Sequence, residues 1–298
     1  MSKHLARIRV AGPDHKGIIA TVTTCLFHNN VNIEDIDQRI LEDFLVMNML
    51  VDISDLKKTI PQFRDTLKSV GKKIKMEVVL ELLEHRKTKN VVLLVTKEDH
   101  CLTALLKDMK SRKIKGHPVM VLSNRPELQK MVEKQKIPFY YFPSSNKKEH
   151  EDFLLEKMSH HDVDLIVLAR YMQILSPEFC FRNEGKIINI HPSLLPAFPG
   201  AKAYAQAFQK GVEYVGVTAH FVTTDLDQGP IISQEAFRID KTCETLDDIM
   251  KKGQKAESAA LCRAVKLFCD DRLALRRGKV MDSRHLCEME KKTKEFYR

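Results

Sequence analysis

No run of apolar residues in this 298-residue sequence approaches the ~20 needed to cross a bilayer as a helix. The start, Met1-Ser2-Lys3-His4, is not a secretion signal and leads into an alternating strand pattern, so the expected compartment is the cytoplasm, with no membrane partner. Paired cysteines are missing too. Cys25, Cys101, Cys180, Cys243, Cys262, Cys269 and Cys287 are odd in number, scattered and never spaced as C-x-x-C. That argues against a disulfide framework or a zinc knuckle and suits reduced thiols in core positions. Internal repeats and low-complexity tracts are absent. No aromatic-rich basic motif accompanies the net charge of +9, so nucleic acid is not an expected partner. Eight Lys/Arg against four Asp/Glu between Arg276 and Arg298 supply +4 of that charge, which reads as a solvated tail.

The length suits two domains. Leu5, Ile8 and Val10 against Arg7 and Arg9 predict a strand over 4–11, and Gly12-Pro13-Asp14-His15-Lys16-Gly17 a turn. Helical spacing follows over 18–29, then two strands, 31–41 and 44–53, split as a hairpin by Glu42-Asp43. A second helix over 56–70 is expected to end near Gly71, a C-cap residue type, before a strand over 75–82. The order βαββαβ is a ferredoxin-like arrangement. Glu84-His85-Arg86-Lys87-Thr88-Lys89-Asn90 is the best boundary in the chain: a domain over 1–84, a linker over 85–90 and a second domain over 91–298.

Beyond the linker, strands apolar on both faces (91–95, 118–122, 139–142, 163–168) alternate with helices (100–109, 126–134, 149–160). This pattern predicts a Rossmann-like, mostly parallel sheet covered on both sides. Ser176-Pro177 reads as an N-cap followed by a first helical residue. Then comes the stretch on which function turns, Ile187-Ile188-Asn189-Ile190-His191-Pro192. A β-branched run predicts a buried strand, and Pro192 removes the next ladder donor. Period two puts Asn189 and His191 on one side, at a strand's carboxyl end, where open α/β sheets bind ligands. After a helix near 202–210 and strands near 214–223 and 230–239, a long helix covers 246–271. The loop between the last two strands, Thr223-Thr224-Asp225-Leu226-Asp227-Gln228-Gly229-Pro230, is able to return a carboxylate to Asn189 and His191 if the strand before it lies beside theirs. Amide, imidazole and carboxylate together suit oxyanion stabilisation and proton movement at a carbonyl. Taken singly, each has a plainer reading: a capping amide, a hydrogen-bonded structural histidine, a turn aspartate. His220, among apolar neighbours, fits a core residue as well as a site residue, and two histidines with a carboxylate are also a metal-ligand set.

Two resemblances bear on these alternatives. The first strand followed by Gly12-Pro13-Asp14-His15-Lys16-Gly17-Ile18 resembles the ACT family of regulatory domains. That resemblance implies an amino-acid effector site bordered by Gly12, Asp14, Gly17 and Ile18, and a dimer or tetramer. Asn189-x-His191-x-Ser193-x-Leu195-Pro196, with Gly200, Tyr204, Gly216-x-Thr218-x-His220 and Leu226-Asp227-x-Gly229-Pro230-Ile231-Ile232, is similar to the folate-dependent formyltransferase fold. An ACT domain in front of that fold is the arrangement of the formyltetrahydrofolate deformylase family. The resemblance implies hydrolysis of 10-formyltetrahydrofolate to formate and tetrahydrofolate, with Asn189, His191 and Asp227 as the catalytic triad and neither metal nor cofactor. It also implies a folate pocket that includes Arg170, Tyr171, Met172, Gln173 and Leu175, with His220 beside it. The same triad serves transferases that pass the formyl group to glycinamide ribonucleotide, and these have a glycine- and serine-rich phosphate loop after the first strand of the domain. Here that place reads Thr96-Lys97-Glu98-Asp99-His100-Cys101-Leu102, without glycine and with two acids, which favours water as acceptor. Pro192 departs from the deformylase pattern, which commonly has a second histidine there. A non-catalytic folate or amino-acid sensor is the remaining alternative.

Overall fold

The computed structural model describes residues 4–41, 43–82, 88–240, 242–276 and 279–283. The chain divides into two compact units, Met1–His85 and Arg86–Arg298. Of the linker expected over 85–90, residues 85–87 lie outside the described residues, and Lys89 and Asn90 already belong to the first strand of the second unit.

The first unit runs β1 (Leu5–Pro13), α1 (Ile18–His28), β2 (Asn32–Leu41), β3 (Phe44–Asp52), α2 (Ile60–Lys73) and β4 (Glu77–Leu82). Its antiparallel sheet has the order β2-β3-β1-β4, and Ile8, Val10, Val22, Leu26, Met47, Phe63 and Leu67 are buried between sheet and helices. β1 extends two residues past the predicted strand, to Pro13 opposite Phe44, because the missing proline donor costs nothing at the last rung. Gly71 does not cap α2. It lies inside the helix, where a Cβ would come 2.6 Å from Met76 O, so close approach to the incoming strand explains the glycine. The helix starts later than periodicity implied, at a capping box in which Thr59 and Gln62 satisfy each other's backbone donors.

The loop after β1 is tied down by His15. Nε2 donates to Ile74 O at 2.7 Å and Nδ1 to Lys16 O at 3.1 Å. Both carbonyls only accept, so the ring satisfies both as an imidazolium, and the Ile74 carbonyl above all raises its pKa. A value raised by folding means a contribution complete below about 6.5, the unfolded value, and lost as pH rises through the folded one. An NMR titration of the His15 ring is expected to give a midpoint above the ordinary histidine value; a midpoint at or below it would contradict the double clamp.

The second unit runs β5 (Lys89–Val95), α3 (His100–Lys110), β6 (Gly116–Ser123), α4 (Gln129–Glu133), β7 (Phe139–Tyr141), α5 (Lys147–Ser159) and β8 (Leu165–Leu168). It continues with α6 (Pro177–Arg182), β9 (Ile187–His191), α7 (Ala203–Lys210), β10 (Tyr214–Phe221), β11 (Ile231–Arg238) and α8 (Leu246–Cys269). The seven-stranded sheet has the order β11-β10-β9-β8-β5-β6-β7, parallel from β9 to β7 and antiparallel at β9/β10 and β10/β11. α3 and α8 cover one face with Leu102, Leu105, Ile249, Leu261 and Val265; α5 and α6 cover the other with Leu154, Met158 and Phe179. The chain builds outward from β5 to β6 and β7, then returns to place β8 on the other side of β5. The topological switch point therefore lies between β5 and β8, and the crevice at their carboxyl ends is the general ligand position of such sheets.

α4 covers less than the helix expected over 126–134, because the segment opens with a turn in which Gln129 N donates to Pro126 O. The basic stretch after α8 is not all solvated tail. β12 (Leu273–Arg276) and β13 (Lys279–Asp282) pair as a two-stranded sheet, each too short for alternation to show in sequence; 284–298 lie outside the described residues.

Candidate active site

β9 puts Ile188 and Ile190 into the core under α8, which by strict alternation turns Asn189 and His191 to the opposite face. β10 runs antiparallel beside it, with Thr218 opposite His191 and His220 opposite Asn189. Directly opposed residues on one face have side chains within contact range, so His220 reaches the site from the neighbouring strand. After β10 the backbone turns sharply, Phe221 N donating to Pro230 O at 2.9 Å. A Cβ on Gly229 would lie 1.7 Å from Phe221 O, so glycine is required there. Asp227, at φ +55°, is thereby carried back over the end of β9.

Asp227 Oδ2 lies 3.3 Å from His191 Nδ1 and accepts from Gly200 N at 2.9 Å; Oδ1 lies 3.9 Å from His220 Nε2. Three groups far apart in sequence thus share one buried spot, with His191, His220 and the Asp227 side chain 5%, 2% and 6% exposed. Burial pushes the Asp227 carboxyl up, but the hydrogen bonds from His191 and Gly200 and the neighbouring imidazoles outweigh it and hold it below the usual carboxylate range. His220 is shifted the other way: burial holds it below the ordinary histidine value despite the Phe221 carbonyl and Asp227.

These partners settle protons and orientations. Phe221 O, 2.8 Å from His220 Nδ1, only accepts, so Nδ1 carries the hydrogen and Nε2 of the neutral ring is an acceptor. Asn189 Nδ2, 3.3 Å away, donates to it. The amide group of Asn189 is thus turned with its nitrogen into the site and keeps a second N–H. His191 faces acceptors on both sides, Asp227 at 3.3 Å from Nδ1 and Phe198 O at 3.0 Å from Nε2. Phe198 takes φ +53° to present that carbonyl.

The family model described as "Formyl transferase" matches residues 89–265, and the one described as "ACT domain" matches 4–81. The formyltetrahydrofolate deformylase of Bacillus subtilis is 36% identical over 282 residues, 92% of this chain and 92% of that one. The chain belongs to the formyltetrahydrofolate deformylase family. A crystal structure of a deformylase from Pseudomonas syringae pv. tomato superposes with TM-score 0.65 and 31% identity over 95% of both chains. The glycinamide ribonucleotide transformylase 1 of Symbiobacterium toebii matches 66% of this chain and 94% of its own, with TM-score 0.63 and 29% identity. The deformylase family thus shares its second unit with transferases and adds the ACT domain.

Within this deformylase fold the segment 170–175 divides. Tyr171 and Leu175 are core residues beside Leu168 and Phe179, and the Tyr171 hydroxyl pairs with His150 Nε2. Met172 is 57% exposed, and Gln173 donates to Met172 O at 2.6 Å. Arg170, at φ +63°, turns to Glu98 (3.2 Å) and to Glu257 (3.4 Å), which occupy its guanidinium. Of the expected folate-lining side chains, Met172 and Gln173 remain accessible. Around the ACT loop, Gly17 at φ +91° precedes α1 and Asp14 is exposed, whereas Ile18 is buried in the core and Gly12 packs on Met76, so neither offers a side chain to an effector.

Sequence reasoning missed Glu257, 1% exposed on α8, which accepts from His100 Nε2 at 2.8 Å and Tyr204 Oη at 2.7 Å. The signal was present: an acid sits in the buried stripe Gly253, Ala260, Leu261, Ala264. His100, Cys101 and Glu257 are close enough together to suggest a cation site. Arg170 already supplies the positive charge there, and burial pushes the Cys101 thiol up, away from the thiolate a metal needs.

Proposed function

We propose that the chain hydrolyses 10-formyltetrahydrofolate to formate and tetrahydrofolate, with Asn189, His191 and Asp227 as the working groups. The observation that carries the residue assignment is the buried Asp227 carboxylate within 3.3 Å of His191, beside an asparagine whose amide orientation His220 fixes. In this reading Asn189 gives its second N–H to the formyl oxygen. His191 exchanges the Phe198 carbonyl for that oxygen while Nδ1 stays on Asp227. Asp227, held ionised, positions a water and takes its proton as the water oxygen bonds to the formyl carbon. Collapse of the tetrahedral adduct breaks the bond to N10, which takes the proton Asp227 removed from the water, and formate leaves as its own acid proton passes to solvent. Each oxyanion donor is worth roughly 10² to 10³ in rate. The pterin rests near Met172 and Gln173, whose exposure suits a planar apolar ligand with polar edges.

No metal or cofactor takes part in this scheme, so formate release is expected to be unchanged by a chelator. Formate release from 10-formyltetrahydrofolate, measured with and without glycinamide ribonucleotide, tests the reading: release is expected to be acceptor-independent, and consumption of the folate only with the nucleotide would assign a transferase. Gly229→Ala is expected to displace the Asp227 loop and lower kcat roughly 10²-fold, the usual cost of a misplacement near 1 Å; an alanine enzyme with wild-type kcat would disprove the role given to that turn. The ACT unit is read as the seat of an amino-acid effector and of pairing into a dimer or tetramer in the cytoplasm. Thermal shifts with individual amino acids and light scattering test this, and no shift together with a monomer would refute it.

A further inference from the structure

The crevice at the switch point between β5 and β8 is where an open α/β sheet takes its ligand. The N-terminus of α3 faces it, with backbone donors suited to a phosphate. In this chain the place is bridged by its own side chains. Glu98, in the loop after β5, accepts from Arg170 Nε at 3.3 Å and Nη2 at 3.2 Å. Arg170 stands two residues past Leu168, which pairs with Asn189, and so follows the strand next to the catalytic one. The guanidinium continues to Glu257 at 3.4 Å, and His100, the first residue of α3, closes the loop on Glu257 at 2.8 Å and lies 3.7 Å from Glu98. Tyr204, four residues after the Gly200 that donates to Asp227, fills the remaining side, and Gly253 leaves room for its ring. Two carboxylates, Glu98 and Glu257, thus face one guanidinium and one imidazole, and Asp99 stands exposed at the N-cap of α3. Replacing such a buried network by apolar residues is often neutral or stabilising, so its presence asks for a role other than stability.

We propose that Glu98, His100, Arg170 and Glu257 form a built-in plug that keeps a phosphorylated acceptor out of the switch-point crevice and leaves the formyl group to water. The inference rests on the proposed hydrolysis and adds what sets its specificity. A phosphate at the α3 N-terminus would meet Glu98 and Asp99, and the Arg170 guanidinium beside it is already held by two carboxylates.

The test uses the full chain, Glu98→Gln, and the double variant Glu98→Gly/His100→Ser, with formate release followed against inorganic phosphate and, separately, glycinamide ribonucleotide. The wild type is expected to be indifferent to both. Both variants are expected to become inhibited or diverted to a formylated amine, at concentrations lower by about tenfold or more. Glu98 is 29% exposed, so the glutamine variant keeps the comparison valid if the double variant does not fold. Variants that release formate yet stay as indifferent as the wild type would overturn the plug, and so would a wild type as sensitive as they are. Absence of formate release by the wild type would sink the hydrolysis reading instead; phosphate binding measured by calorimetry then still decides the plug, which requires binding to the variants and none to the wild type.

Discussion

Asp227→Asn is expected to lower kcat for formate release by about 10² to 10⁴, the range of a lost proton relay, with KM within a few-fold of wild type. The asparagine fits the same space and still accepts from Gly200 N and His191, so the loop keeps its shape. What disappears is the negative charge held between two imidazoles and the ability to take a proton from water. The wild-type carboxyl sits below the usual carboxylate range, so its contribution is complete above about 3.9, the unfolded value, and lost only as pH falls through the lower folded one. Across neutral pH the aspartate is always ionised and the asparagine never is. The deficit should therefore be flat with pH there. Steady-state kinetics check this, and a variant that raises KM at unchanged kcat would show Asp227 to be a binding residue.

Glu257→Leu is the change with the largest expected effect on stability. It leaves Arg170, His100 and Tyr204 turned toward an apolar side chain, with the guanidinium retaining Glu98 alone. Removing one partner of a buried charge pair costs about 3–5 kcal/mol. At about 2–4 °C per kcal/mol for a unit of this size, the Tm falls by roughly 6–20 °C. Burial pushes the Glu257 carboxyl up, but His100, Arg170 and Tyr204 outweigh it and hold it below the ordinary glutamate value. Its contribution is thus present above about 4.3 and lost as pH falls through the folded value, so the gap between wild type and variant should narrow in acid. Thermal melts at neutral and acid pH measure both effects; equal Tm at neutral pH would mean the network is already open to water.

Where one physical cause dominates a segment, its structure was legible in sequence. Ile187, Ile188 and Ile190 are β-branched and apolar and Pro192 removes the next donor, so β9, its end, and the shared side of Asn189 and His191 could be read directly. His220 was ambiguous because its meaning depends on the register of β10 against β9, which no local pattern contains. Gly71 was misread because close packing on Met76 and left-handed capping select the same residue type. The ion pairs of Arg170 were not legible for a related reason: its partners Glu98 and Glu257 lie 72 and 87 residues away, and its positive φ sends the side chain off the alternation of β8. The grip of Phe198 O on His191 depends on a loop conformation that proline and glycine content alone does not specify.

The most direct measurement is formate release from 10-formyltetrahydrofolate in heavy-oxygen water with no amine acceptor present. The account predicts formate carrying one heavy oxygen from the attacking water, at a rate that Asp227→Asn lowers by about 10² to 10⁴. Unlabelled formate, or labelled formate released equally fast by the asparagine variant, would contradict it.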